Sequence, residues 1–208
     1  MGRARDISKV FSTGTALATD TEVSGSYLTL ASASTTYQTR ATAGLTWIAT
    51  TDFASGSTEV ILNNVFTSSY RNYRIVISNL GGSGAIQALL MRLRKSGTNN
   101  TSNIYYRQNT SSSSTTVTAG RTQSTAWTIG GVRDQGPMGV VIDICSPQIS
   151  TQKTNATGVF QQNSTTELEL IVNAWNHDLS SSADFDGFSI YPTSGSIYGY
   201  VSVYGYKE

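Results

Sequence analysis

The chain has 208 residues and nearly balanced charge, 14 Lys and Arg against 13 Asp and Glu, with one His (His177) and one Cys (Cys145). Charged residues make up 13 %, against roughly 25 % in an ordinary soluble domain, whereas Ser and Thr number 29 each. A lone Cys excludes an intrachain disulfide or a thiolate metal cluster, and a lone His excludes a His-rich metal site. A net charge of +1 argues against nucleic acid as partner, because that binding needs many Lys and Arg on phosphates.

Hydrophobic residues at 38 % and aromatics at 10 % are enough for one sizeable core. The opening MGRARDISKV has basic residues with no apolar run behind them, so it does not read as a secretory signal. No stretch approaches the roughly 18 apolar residues of a membrane span, so membrane insertion is not expected.

Residues 1–11 form a short mixed-charge arm in which Arg3, Arg5, Asp6 and Lys9 mingle with Ile7, Val10 and Phe11. Residues 12–39 hold 13 Ser and Thr in 28 positions and no helical or strand periodicity, so alone they should be extended and need a partner for order. From about residue 45 onward the pattern changes to short apolar or alternating runs. They fall at 45–50, 58–62, 73–78, 88–94, 103–108, 122–129, 139–145, 168–174, 187–191 and 198–206, the spacing of strands.

Turn signals separate them: Gly81-Gly82-Ser83-Gly84, residues 96–100, Gly130-Gly131, Gly136-Pro137 and residues 192–195. Period two is clear in Val140, Ile142 and Ile144 against Val141, Asp143 and Cys145, and in Leu168, Leu170 and Val172 against Glu169 and Ile171. The one short helix candidate is the run 86–93. About ten short strands with Gly-rich turns predict an all-β chain, an antiparallel two-sheet sandwich of jelly-roll type preceded by an extended N-terminal arm.

In the last run, IYGYVSVYGYK, Tyr198, Tyr200, Tyr204 and Tyr206 share parity, opposite Gly199, Val201, Val203 and Gly205. This predicts a strand with its small face inward and its aromatic face over a neighbouring strand or subunit. A tyrosine-lined ligand surface is the alternative, since Tyr offers a ring with a polar tip.

Little in the sequence carries catalysis. Nucleophilic chemistry would depend on His177 each time, and although Asp178 follows it, neighbours on a strand face opposite ways and no G-x-S-x-G elbow exists. The pairs Asp184 with Asp186 and Glu167 with Glu169 share a face if strand-borne, but the other ligands of a calcium loop are missing. Gly81-Gly82-Ser83-Gly84 lacks the Lys of a phosphate loop. No catalytic residue, metal or cofactor is expected. Charge is unevenly placed: residues 53–133 carry eight Lys and Arg and one acid, residues 134–208 two and eight. If the split formed two faces, it would suit contacts between subunits.

The opening MGRARDISKVFSTGTALATDTEV resembles the N-terminal segment of tail-fibre-like proteins of tailed phages, those of cyanobacteria especially. The stretch TWIATTDFASGSTEVILNNVFTSSYRNYRIVIS, then IYYR, MGVVIDI and the terminal SVYGYK resemble a β-sandwich virion domain. The resemblance implies a non-enzymatic virion structural protein whose residues 1–43 are a docking arm and linker and whose residues 44–208 are the sandwich. Arg3, Arg5, Ile7, Val10 and Phe11 would dock to the particle. It implies other virion proteins of tail, portal region or capsid as partners, and a homo-oligomer, a trimer for preference, with Tyr198, Tyr200, Tyr204 and Tyr206 as subunit contacts. A fibre-type appendage would present residues 99–116 as a loop to a host-surface glycan. The lack of a repeating shaft favours a compact appendage over a projecting fibre, and a capsid decoration or cement protein is the alternative.

Overall fold

The computed structural model describes residues 44–113, 115–134, 138–163, 168–177 and 184–207. The expected docking arm, with Arg3, Arg5, Ile7, Val10 and Phe11, lies outside them, as do Glu167, Asp178 and Gly136-Pro137. Thirteen strands are described. They are β1 (Gly44–Ser57), β2 (Val60–Leu62), β3 (Asn72–Gly82), β4 (Gln87–Lys95), β5 (Thr98–Asn99), β6 (Tyr105–Ser113) and β7 (Thr116–Ser124). The chain continues with β8 (Trp127–Val132), β9 (Met138–Cys145), β10 (Asn155–Asn163), β11 (Leu168–His177), β12 (Gly187–Pro192) and β13 (Ile197–Lys207).

They build the expected antiparallel two-sheet sandwich. One sheet has eight strands in the order β1-β13-β3-β9-β10-β11-β6-β7. The other runs β2-β12-β4-β5, with β8 also on β4. Where the two share β4, β8 pairs residues 87–91 and β5 pairs residues 94–95. The gap between them is closed from the larger sheet: the Tyr105 hydroxyl accepts the Leu93 N–H at 3.1 Å and donates to the Asn100 carbonyl at 2.9 Å.

Alternation fixes the core. In β9, Val140, Ile142 and Ile144 are buried and Val141, Asp143 and Cys145 are not, the two faces read from the sequence. Tyr73, Ile75 and Ile77 of β3 and Val201 and Val203 of β13 continue that layer, and Leu89, Met91, Leu93, Phe188 and Ile190 supply the facing one. Trp127 of β8 is fully buried. Its ring meets Tyr105 edge-on at 5.5 Å and Trp175 at 6.3 Å, and its indole N–H donates to the Asn176 carbonyl at 3.2 Å. The Trp175 indole returns a bond to the Thr128 carbonyl at 3.0 Å. These reciprocal bonds tie β8 to β11 and make β11 turn Asn173 and Trp175 inward, leaving Val172 on the outer face.

Several expectations are corrected. Residues 87–93 of the helix candidate 86–93 belong to β4 rather than a helix, because Leu89, Met91 and Leu93 are buried on one face at period two. The single run at 122–129 is two strands broken at 125–126, and β5 and β10 escaped the reading. Gly130-Gly131 is not a turn but the buried middle of β8, paired with Ala88 and Leu89. Residues 99–116 are not a loop: they include Asn99 of β5, all of β6 and the first residue of β7. The turn at Ser96-Gly97 is as expected, a two-residue hairpin with both φ positive, 51° and 77°.

Candidate functional site

The outer face of the eight-stranded sheet is where the described side chains gather polar and aromatic groups. Register places one row across all eight strands: Trp47, Tyr204, Arg74, Asp143, Thr157, Ala174, Gln108 and Arg121. A second row, Thr50, Ser202, Val76, Val141, Val159, Val172 and Thr110, runs beside it. Its Val141, Val159 and Val172 are exposed. On the other side lie Cys145, Asn155, Asn176, Tyr106 and Gln123.

The half of this face over β13, β3 and β9 is locked. Arg74 donates from Nε and Nη2 to the two oxygens of Asp143, both at 2.8 Å, a bidentate fork. The Tyr206 hydroxyl donates to Asp143 Oδ1 at 2.6 Å, and the Arg74 guanidinium lies 5.7 Å from the Tyr206 ring centroid. Hydrogen bonds from Arg74 hold the Asp143 carboxyl below its ordinary range, against the smaller opposing effect of burial. Burial, then the bond to Asp143, raises the Tyr206 phenol.

The tyrosines of β13 therefore divide. Tyr206 is committed to this network. Tyr198 lies over backbone: a Cβ on its cross-strand partner Gly81 would stand 2.2 Å from the Tyr198 ring. Tyr204 is half-buried and Tyr200 is exposed. Val201 and Val203 face the core, the arrangement expected from parity. Trp47 is 61 % exposed beside Tyr204, its indole N–H donating to Thr50 Oγ1 at 2.9 Å.

Over β10, β11, β6 and β7 the same face opens into a groove of about 760 Å³. Tyr106, Gln108, Arg121, Asn155, Thr157 and Asn176 line it from the outer parity, and Lys153 stands at its end. Asn176 donates from Nδ2 to Asn155 Oδ1 at 2.5 Å, and Asn155 Nδ2 to the Lys153 carbonyl at 3.1 Å, so the amides are held in sequence. Arg121 and Lys153 make no ion pair or side-chain hydrogen bond among the described residues, and none of the described lining residues is acidic.

The carboxylates singled out in the sequence go elsewhere. Asp184 and Asp186 lie before β12, not on a strand, with Phe185 buried between them. Asp184 pairs with Lys95, and Asp186 Oδ2 accepts the Ser96 N–H at 2.7 Å, so the two clasp the β4–β5 turn. Both described ion pairs join the basic segment to the acidic one within the chain, and Arg92 lies 4.9 Å from the Tyr191 ring centroid. Part of the charge split is thus used internally. Among the described residues no three His, Cys, Asp or Glu side chains come together as metal ligands. His177 ends β11 opposite Tyr105.

No protein-family model and no curated protein matches the chain. Among solved structures it is similar to an endo-β-1,4-glucuronan lyase from the fungus Trichoderma reesei, at 11 % identity and a TM-score of 0.25, over 76 % of this chain and 79 % of that one. A likeness that low carries no functional argument.

Proposed function

We propose that the chain is a non-enzymatic structural protein of a tailed-phage virion, an appendage of tail-fibre type. Its N-terminal segment, around Arg3, Arg5, Ile7, Val10 and Phe11, docks to tail, portal-region or capsid proteins, and its sandwich faces outward toward the host surface. The sequence likeness of the opening segment to virion proteins motivates the reading. The observation that carries it in the sandwich is the open groove at one end of a sheet face whose other end is held by Arg74, Asp143 and Tyr206, a surface suited to contact rather than to reaction. Asp143, Asp184 and Asp186 are held in structural contacts, so none of these three described acids is left free to act as acid or base.

The row of exposed valines, Val141, Val159 and Val172, favours a second reading as a capsid decoration protein, because apolar surface on a sheet face suits lying against another protein. Symmetric copies, three for preference, would gain avidity in either role. Mass spectrometry of purified particles tests the common claim, and absence of the chain there removes it. Particles lacking the chain then separate the two roles. Lost adsorption with intact shells supports the appendage; normal adsorption with lost heat or osmotic resistance supports the decoration protein. A chain without residues 2–11 should fail to join particles, and its incorporation would move docking elsewhere.

A further inference from the structure

We propose that the groove over β10, β11, β6 and β7 binds an acidic oligosaccharide. Arg121 and Lys153 take its carboxylate or sulfate groups, and Asn155, Asn176, Gln108 and Tyr106 take its hydroxyls and ring faces. The inference rests on the host-contacting reading above for its biological meaning, while the binding itself belongs to the isolated protein.

Three observations carry it. The first is size: about 760 Å³ lies within the roughly 300–1,000 Å³ of ligand sites. Four strands about 4.8 Å apart give it a run of roughly 14 Å across the sheet, long enough for a short chain rather than a single small molecule. The second is charge. On the same face Arg74 is neutralised by Asp143, whereas Arg121 and Lys153 border the groove with no acid among its described lining residues. Cations left free at a concave surface raise the local concentration of anions.

The third is the kind of polar group. The Asn176 to Asn155 to Lys153 chain of bonds fixes two amides while leaving Asn176 Oδ1 and the second N–H of each amide to a ligand. Side-chain amides that both donate and accept, beside one tyrosine ring, match sugar hydroxyls and apolar ring faces. A nucleic-acid surface would need more cations and more rings to stack bases. A protein-docking patch would offer apolar anchors, and the exposed valines lie in the next row rather than in the groove's polar part.

Calorimetry on the full chain tests the assignment with hexamers of galacturonate, hexamers of mannuronate and chondroitin sulfate hexasaccharide as probes. At least one should bind with a Kd below about 1 mM, and its neutralised form, methyl-esterified and, for the chondroitin probe, desulfated as well, should bind at least tenfold more weakly. Arg121→Glu with Lys153→Glu should weaken binding tenfold or more, with an unchanged circular dichroism spectrum and melting temperature. Asn155→Ala with Asn176→Ala should weaken it severalfold toward charged and neutralised probes alike. Failure of all three probes, equal binding of the neutralised form, undiminished binding by the folded double charge variant, or equally tight binding of a short single-stranded DNA would each overturn the proposal. Presence in purified particles is read separately: a chain found there that binds no probe removes the groove and leaves the virion role, and a chain that binds but is absent from particles does the reverse.

Discussion

Along one row of the eight-stranded sheet, residues of similar kind meet different fates. Between β13 and β9 the row reads Tyr204, Arg74, Asp143, and its charges close on each other with Tyr206 reaching in from the adjoining row. Between β10 and β7 it reads Thr157, Ala174, Gln108, Arg121, and the arginine at its end faces Gln108 with no carboxylate partner among the described residues. Strand geometry and alternation are the same in both halves. What differs is whether the facing strand supplies the opposite charge, so the same surface is structural at one end and receptive at the other.

The largest effect should come from removing the support beneath the receptive half. Trp127 is fully buried against Tyr105 and Trp175, and Trp127→Ala should cost about 3–5 kcal/mol. Hydrogen exchange should accelerate in β6 and β11 more than in β13 and β3; equal acceleration would mean that the two halves open as one unit. A smaller effect is expected in the locked half. Tyr206→Phe removes one hydrogen bond to a carboxylate and should cost about 1 kcal/mol by urea unfolding. Arg74 and Asp143 are each about a third exposed, so Asp143→Asn should cost only about 0.5–1 kcal/mol after solvent screening.

That pair also sets a pH dependence. Asp143 is held below its ordinary range when folded. Its contribution is therefore present above the unfolded value of about 3.9 and is lost as pH falls through the lower folded value. Asp143→Asn should flatten that part of the acid limb of the stability curve, and an identical limb in both proteins would contradict the network. The smallest effect is in the receptive half: Arg121→Gln should change stability by less than about 0.5 kcal/mol, because the side chain is exposed and has no ion pair among the described residues. A larger loss would show that Arg121 is structural after all.

How much of this was legible follows from where the core lies. β9 could be read from Val140, Ile142 and Ile144 because both halves of its alternation are strong. β10 could not, since its inward set is Ala156, Gly158 and Phe160, and Gly158 sits where a Cβ would stand 2.5 Å from the Val141 carbonyl and 2.9 Å from the Trp175 ring. A strand whose inner face must hold a glycine between Ala156 and Phe160 leaves no clear apolar period. β7 is exposed on nearly all its residues, which erased its signal and let its end merge with β8. In β8, Gly130 and Gly131 read as a turn because a glycine pair looks the same whether it bends or gives way to neighbours. At Gly130 the pair lies in extended, buried backbone, where a Cβ would make only an ordinary contact with Val140 Cγ2 at 3.4 Å.

The tyrosine parity of β13 and the clash-free inward valines were legible, but the partition among the four rings was not, since it depends on Arg74, Asp143 and Gly81 from other strands. The groove was invisible for the same reason. Tyr106, Gln108, Arg121, Asn155 and Asn176 are unremarkable one at a time, and only the register of four strands sets them side by side.

The division of the sheet face is tested most directly by amide chemical-shift mapping of the labelled full chain titrated with the acidic hexamer that binds best. Shifts concentrated at residues 106, 108, 121, 155 and 176, with 74, 143 and 206 unmoved, are the predicted result. Shifts centred on β13, β3 and β9, or none up to about 1 mM probe, would contradict it.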